Sequence, residues 1–206
     1  MATGVATETS LEAIVLAAGF GARFGGGKLT APWRDGVLLD GALAAAFAAP
    51  VRSVTVVWGA DPAVPEAAQA FAERAGEAAR LKLANAPDHA EGMAATLRAG
   101  IGSLATDVAG AFVFLGDMPC VPVAVLAKLA KALAAGVPAA APVFEGSRGH
   151  PVLFSAPLFP QLLALAGDEG ARAVLQRLGG ALATVEAPDE GVLFDIDLPD
   201  DMTASG

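Results

Sequence analysis

EAIVLAAGFGARFGGGK, residues 12–28, decides the fold. Its first seven residues are a short apolar run that stops at glycine, which suits a strand buried on both faces. Residues 19–28 hold five glycines and two cations, Arg23 and Lys28. Glycine permits tight turns and lets backbone N–H groups approach phosphate oxygens. A buried strand running into a cationic glycine loop is therefore a candidate phosphate cradle. The plainer alternative is a flexible connection with two solvated cations. Two familiar spacings do not fit. Gly19, Gly21 and Gly25 give G-x-G-x-x-x-G, one residue longer than the dinucleotide fingerprint. A P-loop fails because Ala22 stands five residues before Gly27 and Leu29 follows the lysine.

Outward from this loop, strand-like and helix-like runs alternate. Residues 39–49 read as an Ala-rich helix stopped by Pro50, and 51–58 as a β-branched strand. Helices are predicted over 65–80, 93–101, 123–135 and 167–178. Strands are predicted over 81–84, 111–115, 139–144, 151–154, 182–186 and 192–196. This alternation predicts a three-layer α/β fold: a mostly parallel sheet with helices on both faces. Ligands of such sheets bind at the carboxyl ends of the strands. The glycine loop and the Gly116-Asp117 turn both follow strands, so both should reach one edge. Residues 1–206 read as one domain, with 1–10 as a polar tail.

Composition narrows the function. Hydrophobic residues make up 54% of 206, enough for a sizeable core and against a disordered chain. The net charge of −9 argues against nucleic-acid or anionic-membrane partners. One cysteine, Cys120, excludes an internal disulfide framework. The longest run without Asp, Glu, Lys or Arg, residues 149–167, contains three prolines and cannot be a spanning helix. The expected setting is soluble and cytoplasmic.

Three further segments carry candidate chemistry. Asp117, in GDMP (116–119), can hold Mg²⁺ at a strand end, or cap the next helix. In DIDLPDD (195–201), a strand would point Asp195 and Asp197 to one face, where they could complete an acidic metal site. The alternative is a solvated acidic tail with a helix cap. His150, in GHPVLFS (149–155), is a ligand contact or a structural turn residue; His89 reads as structural.

With EGMAATLRAG (91–100) and GDEGAR (167–172), these motifs resemble, in order, those of the MobA-like nucleotidyltransferase superfamily. Within it they look like the molybdenum cofactor cytidylyltransferases. The similarity runs from about residue 13 to 201. It implies a Rossmann-like fold of the nucleotide-diphospho-sugar transferase type. It also implies transfer of CMP from CTP to the terminal phosphate of a molybdopterin-type cofactor, with release of pyrophosphate. A recipient molybdoenzyme is a further implied partner.

The resemblance assigns Arg23 and Lys28 to the triphosphate and Asp117 to Mg²⁺, these three being catalytic. Leu16, Ala17, Ala18, Gly19, Gly21, Gly92 and Thr96 complete the nucleotide set. His150, Asp168 and Arg172 fall to the acceptor, and Asp195 or Asp197 to the metal beside Asp117. The loop reads LAAG, as in cytidylyl enzymes, where guanylyl enzymes tend to read LAGG. Some positions depart from the family: Gly21 and Thr96 stand where Ser is frequent, and Leu198 and Asp200 replace Thr and Glu. Two other readings remain: a related transferase acting on a phospho-sugar or phospho-polyol, and a non-catalytic cofactor carrier or insertion chaperone.

Overall fold

The computed structural model describes residues 10–167 and 170–202. The apolar run before the glycine loop forms β1 (Leu11–Ala17). A small antiparallel pair follows, β2 (Pro32–Trp33) and β3 (Gly36–Val37), then α1 (Leu38–Ala48), β4 (Val54–Trp58) and α2 (Val64–Ala75). Next come β5 (Leu81–Asn85), α3 (Met93–Gly102), β6 (Gly110–Leu115), α4 (Ala124–Ala134) and β7 (Ala139–Phe144). The chain ends with β8 (Ser147–Arg148), β9 (Val152–Ser155), α5 (Phe159–Leu163), α6 (Arg172–Leu178) and β10 (Leu182–Glu186). Among the described residues no helix is long and apolar enough to cross a membrane.

The main sheet runs β10-β7-β9-β6-β1-β4-β5, with β8 paired to β7. β1 lies between β6 and β4, parallel to both, and β4–β5 and β7–β10 are also parallel. β9 is antiparallel to both neighbours, β6 and β7. Side chains alternate across a strand, and β1 shows the consequence. Ala13, Val15 and Ala17 join the core packed by α1, α2 and α4; Ile14 and Ala18 join the core packed by α3, α5 and α6. The fold is thus the expected three-layer α/β arrangement. α3 sits close on the sheet because Gly100 has no side chain: a Cβ there would lie 2.7 Å from Ile14 Cγ2.

Three local expectations need correction. The helix predicted over 65–80 stops at Ala75, where Gly76 takes a left-handed conformation (φ 73°) and closes it. The helix predicted over 167–178 begins at Arg172. Residues 192–196 form no strand. A 3₁₀ turn, Glu190–Val192, leads into an irregular strap. Val192 and Ile196 are both fully buried, a spacing of four rather than the two of a strand. The strap is tied by single bonds instead of a ladder: His150 N–H to Val192 O (2.8 Å) and Ile196 N–H to Asp117 O (3.1 Å).

At the opposite edge of β1, Glu12 is fully buried. Its carboxylate accepts from Arg52 (2.9 Å) and Lys82 (3.3 Å), and Arg52 also pairs with Asp107, which it holds down to about 2. Burial alone pushes the Glu12 carboxyl up, but the bonds from Arg52 and Lys82 outweigh it, so its pKa is lowered. A carboxyl whose folded pKa lies below its unfolded value stabilises above the unfolded value. That contribution is lost as pH falls through the folded one. Glu12→Gln is therefore expected to cost about 1–3 kcal/mol at pH 7 and to flatten the acid limb of stability. Urea unfolding from pH 7 to pH 3 checks this; parallel limbs for the two proteins would contradict it.

Candidate functional site

The glycine loop leaves the carboxyl end of β1 in a tight reversal. Phe24 N–H and Gly26 N–H both donate to Gly21 O (2.9 and 3.2 Å). Gly25, Gly26 and Gly27 then take φ of 94°, 96° and 62°, a run that side-chain-bearing residues would hold only under strain. The reversal returns Lys28 beneath Gly21, whose hypothetical Cβ would lie 2.9 Å from Lys28 Cβ. The Lys28 side chain is only 11% exposed. Its Nζ donates to Asp117 Oδ2 (2.7 Å) and Ile196 O (2.8 Å) and lies 3.8 Å from Asp197 Oδ1. Arg23, far more exposed, pairs with Asp197.

Asp117 reaches this point because β1 and β6 end together. Leu16 is in register with Leu115, and Gly116 N–H donates to Leu16 O (2.9 Å). The strap brings the closing acidic motif to the same edge and divides it. Asp201 accepts from the backbone N–H of Asp197 (3.0 Å) and Leu198 (2.7 Å), so it holds the turn. Asp195 faces the charges: loss of water and then repulsion from Asp117 and Asp197 raise its pKa, with Lys28 offsetting part. Thus Asp197 shares Lys28 with Asp117, and Asp195 feels the charge of both, by way of a strap and not through the alternation of a strand.

These oxygens suit a hard divalent cation. Mg²⁺ takes one or two carboxylates and fills its remaining positions with water and phosphate. No group of three or more His, Cys, Asp and Glu among the described residues forms a ready cage.

Two cavities open on this edge. One, of about 370 Å³, is bordered by Leu16, Ala18, Gly19, Gly92, Thr96 and Asp117, which brings most of the predicted nucleotide set together. Ala17 points to the opposite core, as strand alternation requires. His89, read from sequence as structural, also borders this cavity. Its Nδ1 lies 3.0 Å from Ala86 O, so Nδ1 carries a proton and donates it there. Its place three residues before Gly92 was the available signal.

The second cavity, about 460 Å³, shares Leu16, Met93 and Leu115 with the first. His150 and Arg172 line it together with Arg148, which the sequence reading passed over. Burial lowers the His150 pKa and keeps the ring neutral; a hydrogen bond to the Val113 backbone acts the other way. Asp168 lies outside the described residues. A cavity of about 630 Å³ at the far edge, bordered by Ser10, Pro50, Ala109 and Pro138, has no titratable side chain in its lining.

Comparison with known proteins finds relatives of the same fold. The model of the MobA-like NTP transferase domain matches residues 13–183. The chain is 28% identical over 195 residues to the molybdenum cofactor cytidylyltransferase of Escherichia coli K12, covering 94% of each protein. An Rv0371c homologue from Mycobacterium sp. strain JC1 superposes with a TM-score of 0.79 at 25% identity, over 95% of this chain and 94% of that one. A nucleotidyl transferase from Methanothermobacter superposes with a TM-score of 0.74 at 21% identity, over 94% of each.

Because Lys28 and Asp117 are mostly shielded from water, removing either partner alone leaves a charge short of compensation. Lys28→Met is expected to cost about 1–3 kcal/mol. Adding Asp117→Asn should recover part of that, with a coupling of at least about 1 kcal/mol. A double-mutant cycle in urea at fixed salt measures it, and strict additivity would show that the pair does not hold the loop.

Proposed function

Because this chain belongs to the MobA-like NTP transferase family, and is thus a nucleotidyltransferase, we propose that it moves CMP from CTP to the terminal phosphate of a molybdopterin-type cofactor. Pyrophosphate is the second product. The carrying observation is the junction of the two cavities at Leu16, Met93 and Leu115, beside Asp117 and the glycine loop. A nucleotide in one and a phosphorylated acceptor in the other would meet there. The relation to the Escherichia coli enzyme supports the choice of acceptor.

The attacking group is a phosphate already ionised near neutral pH, so no strong base is needed. Acceleration then comes from positioning and from charge stabilisation. Backbone N–H groups of the glycine loop, with Arg23 and Lys28, hold the β- and γ-phosphates and stabilise charge on the leaving pyrophosphate. Asp117, with Asp195 or Asp197, would hold Mg²⁺, which when bound offsets negative charge on the phosphates. Lys28 exchanges its carboxylate partners for phosphate oxygens as the nucleotide enters. Ala18 borders the base end of the cavity, where its Cβ narrows the space in favour of a pyrimidine.

Mixing enzyme, Mg²⁺, molybdopterin and each nucleotide in turn, with pyrophosphate as readout, tests the reading. CTP is expected to exceed GTP in kcat/KM by at least about tenfold, or about 1.4 kcal/mol. A ratio near one, or no pyrophosphate, overturns it. Asp117→Asn should lower turnover by on the order of 10²–10³ while melting as a folded protein. Wild-type rates in that variant would remove Asp117 from the chemistry.

A further inference from the structure

Arg98 leans back along α3 toward its N-terminal end, as helical side chains do, and its guanidinium reaches two segments of chain. Nη1 donates to Leu165 O (2.8 Å), just past the end of α5, and Nη2 to the Glu91 carboxylate (2.9 Å), two residues before α3. The Glu91 side chain is 63% exposed, so the ion pair itself contributes little. What the guanidinium adds is a rigid fork that holds two acceptors at one spacing. Two more contacts press the α5–α6 connection onto the start of α3. Ala94 N–H, a helix-start donor without an intrahelical partner, donates to Gly167 O (3.0 Å). Gly170 lies so close to Met93 that a Cβ would sit 2.8 Å from its sulfur. Met93 is inside this clamp: Glu91 precedes it, Ala94 follows it, and Gly170 covers its sulfur. It borders both cavities, it is 46% exposed, and its unbranched side chain takes its position from whatever packs against it.

We propose that Arg98 is a positioning residue for the transfer step. It borders neither cavity. It holds the α5–α6 connection to the turn before α3 and so fixes Met93 where the two cavities meet. The α-phosphorus and the attacking phosphate have to come together at that junction, and a misplacement of about 1 Å can cost on the order of 10² in rate. This role rests on the reading of the two cavities as nucleotide and acceptor sites, and it separates alignment from binding. Leu16, Ala18, Gly19 and Asp117, on the other side of the nucleotide cavity, are carried by the ends of β1 and β6, to which Arg98 makes no hydrogen bond. Loss of the guanidinium then leaves CTP bound and poorly aligned, so that kcat falls and KM for CTP does not.

Two substitutions test it. Arg98→Met keeps the aliphatic stem and removes the fork; Arg98→Gln, which keeps a polar end, replaces it if the methionine variant does not fold. Gly170→Ala leaves Arg98 in place and pushes on the flexible end of the same methionine. Each protein is assayed for pyrophosphate release from CTP, Mg²⁺ and molybdopterin, with active sites counted by calorimetric titration with CTP. In each variant kcat per CTP site is expected to fall at least about tenfold, with KM and the calorimetric Kd for CTP within about twofold of wild type. The double variant should fall little further than the single ones, because both changes act on Met93. Partial unfolding gives the opposite pattern, fewer sites with an unchanged kcat per site. Wild-type kcat per site without the guanidinium overturns the role, as does a parallel loss of kcat and CTP affinity, or a double variant whose losses multiply. A wild-type protein that binds CTP and releases no pyrophosphate overturns the transfer reading, and the role with it; release by the wild type with unchanged kcat in the Arg98 variant overturns the role alone.

Discussion

One ammonium group joins three separate pieces of chain. Lys28 Nζ bonds Asp117 on the turn after β6 and the Ile196 carbonyl of the strap, and it is carried by the glycine loop after β1. Lys28 opens a single 3₁₀ turn, and Asp117 and Ile196 lie outside helices and strands, so no ladder sets their distances. The ion pair does, helped by two backbone ties: Gly116 N–H to Leu16 O and Ile196 N–H to Asp117 O. Shielding makes the pair effective. A solvated Lys–Asp contact contributes little, whereas a largely buried one cannot lose a partner cheaply. The left-handed run Gly25–Gly26–Gly27 exists to bring the lysine back under the loop.

The same arrangement pairs the cations of the loop with carboxylates of the strap and the turn: Arg23 sits on Asp197 and Lys28 on Asp117. Removing one partner of the shielded Lys28 pair would leave a charge uncompensated. Loss of water, and then repulsion from Asp117 and Asp197, raises the pKa of Asp195 beside them.

Much of this was legible in the residues. Buried strands announce themselves by composition, and the alternation of element types dictated layers and a shared edge for the loop and the GDMP turn. The register Leu16↔Leu115 made that edge real. What failed was the reading of residues 192–196 as a strand. VLFDI has strand composition, but a strand needs a neighbour with free ladder groups. Here the backbone bonds instead to His150 and Asp117, which lie far away in sequence. The antiparallel course of β9 was hidden for a like reason, since pairing direction depends on the connection and not on the strand's own residues. His89 and Arg148 escaped because each stands alone in sequence. Only the tertiary fold puts one beside Gly92 and the other beside Arg172.

The two halves of the site differ in how they are built. The cavity beside Asp117 is set by adjacent, parallel strand ends, Leu16 to Ala18 and Leu115 to Asp117. Its geometry follows from the sheet. The cavity beside His150 is assembled from β8 and the turn before β9, the start of α6 and Met93, against whose sulfur Gly170 packs closely enough that a Cβ would sit 2.8 Å away. Of these, β8 is tied to the sheet by its short pairing with β7, while Met93 and Arg172 open helices of the α3–α5–α6 layer. Substitutions there can reshape that cavity without moving the glycine loop. The physical division is therefore between a cavity whose walls the strand ends impose and one whose shape and charge depend on a few side chains, Arg148, His150 and Arg172 among them.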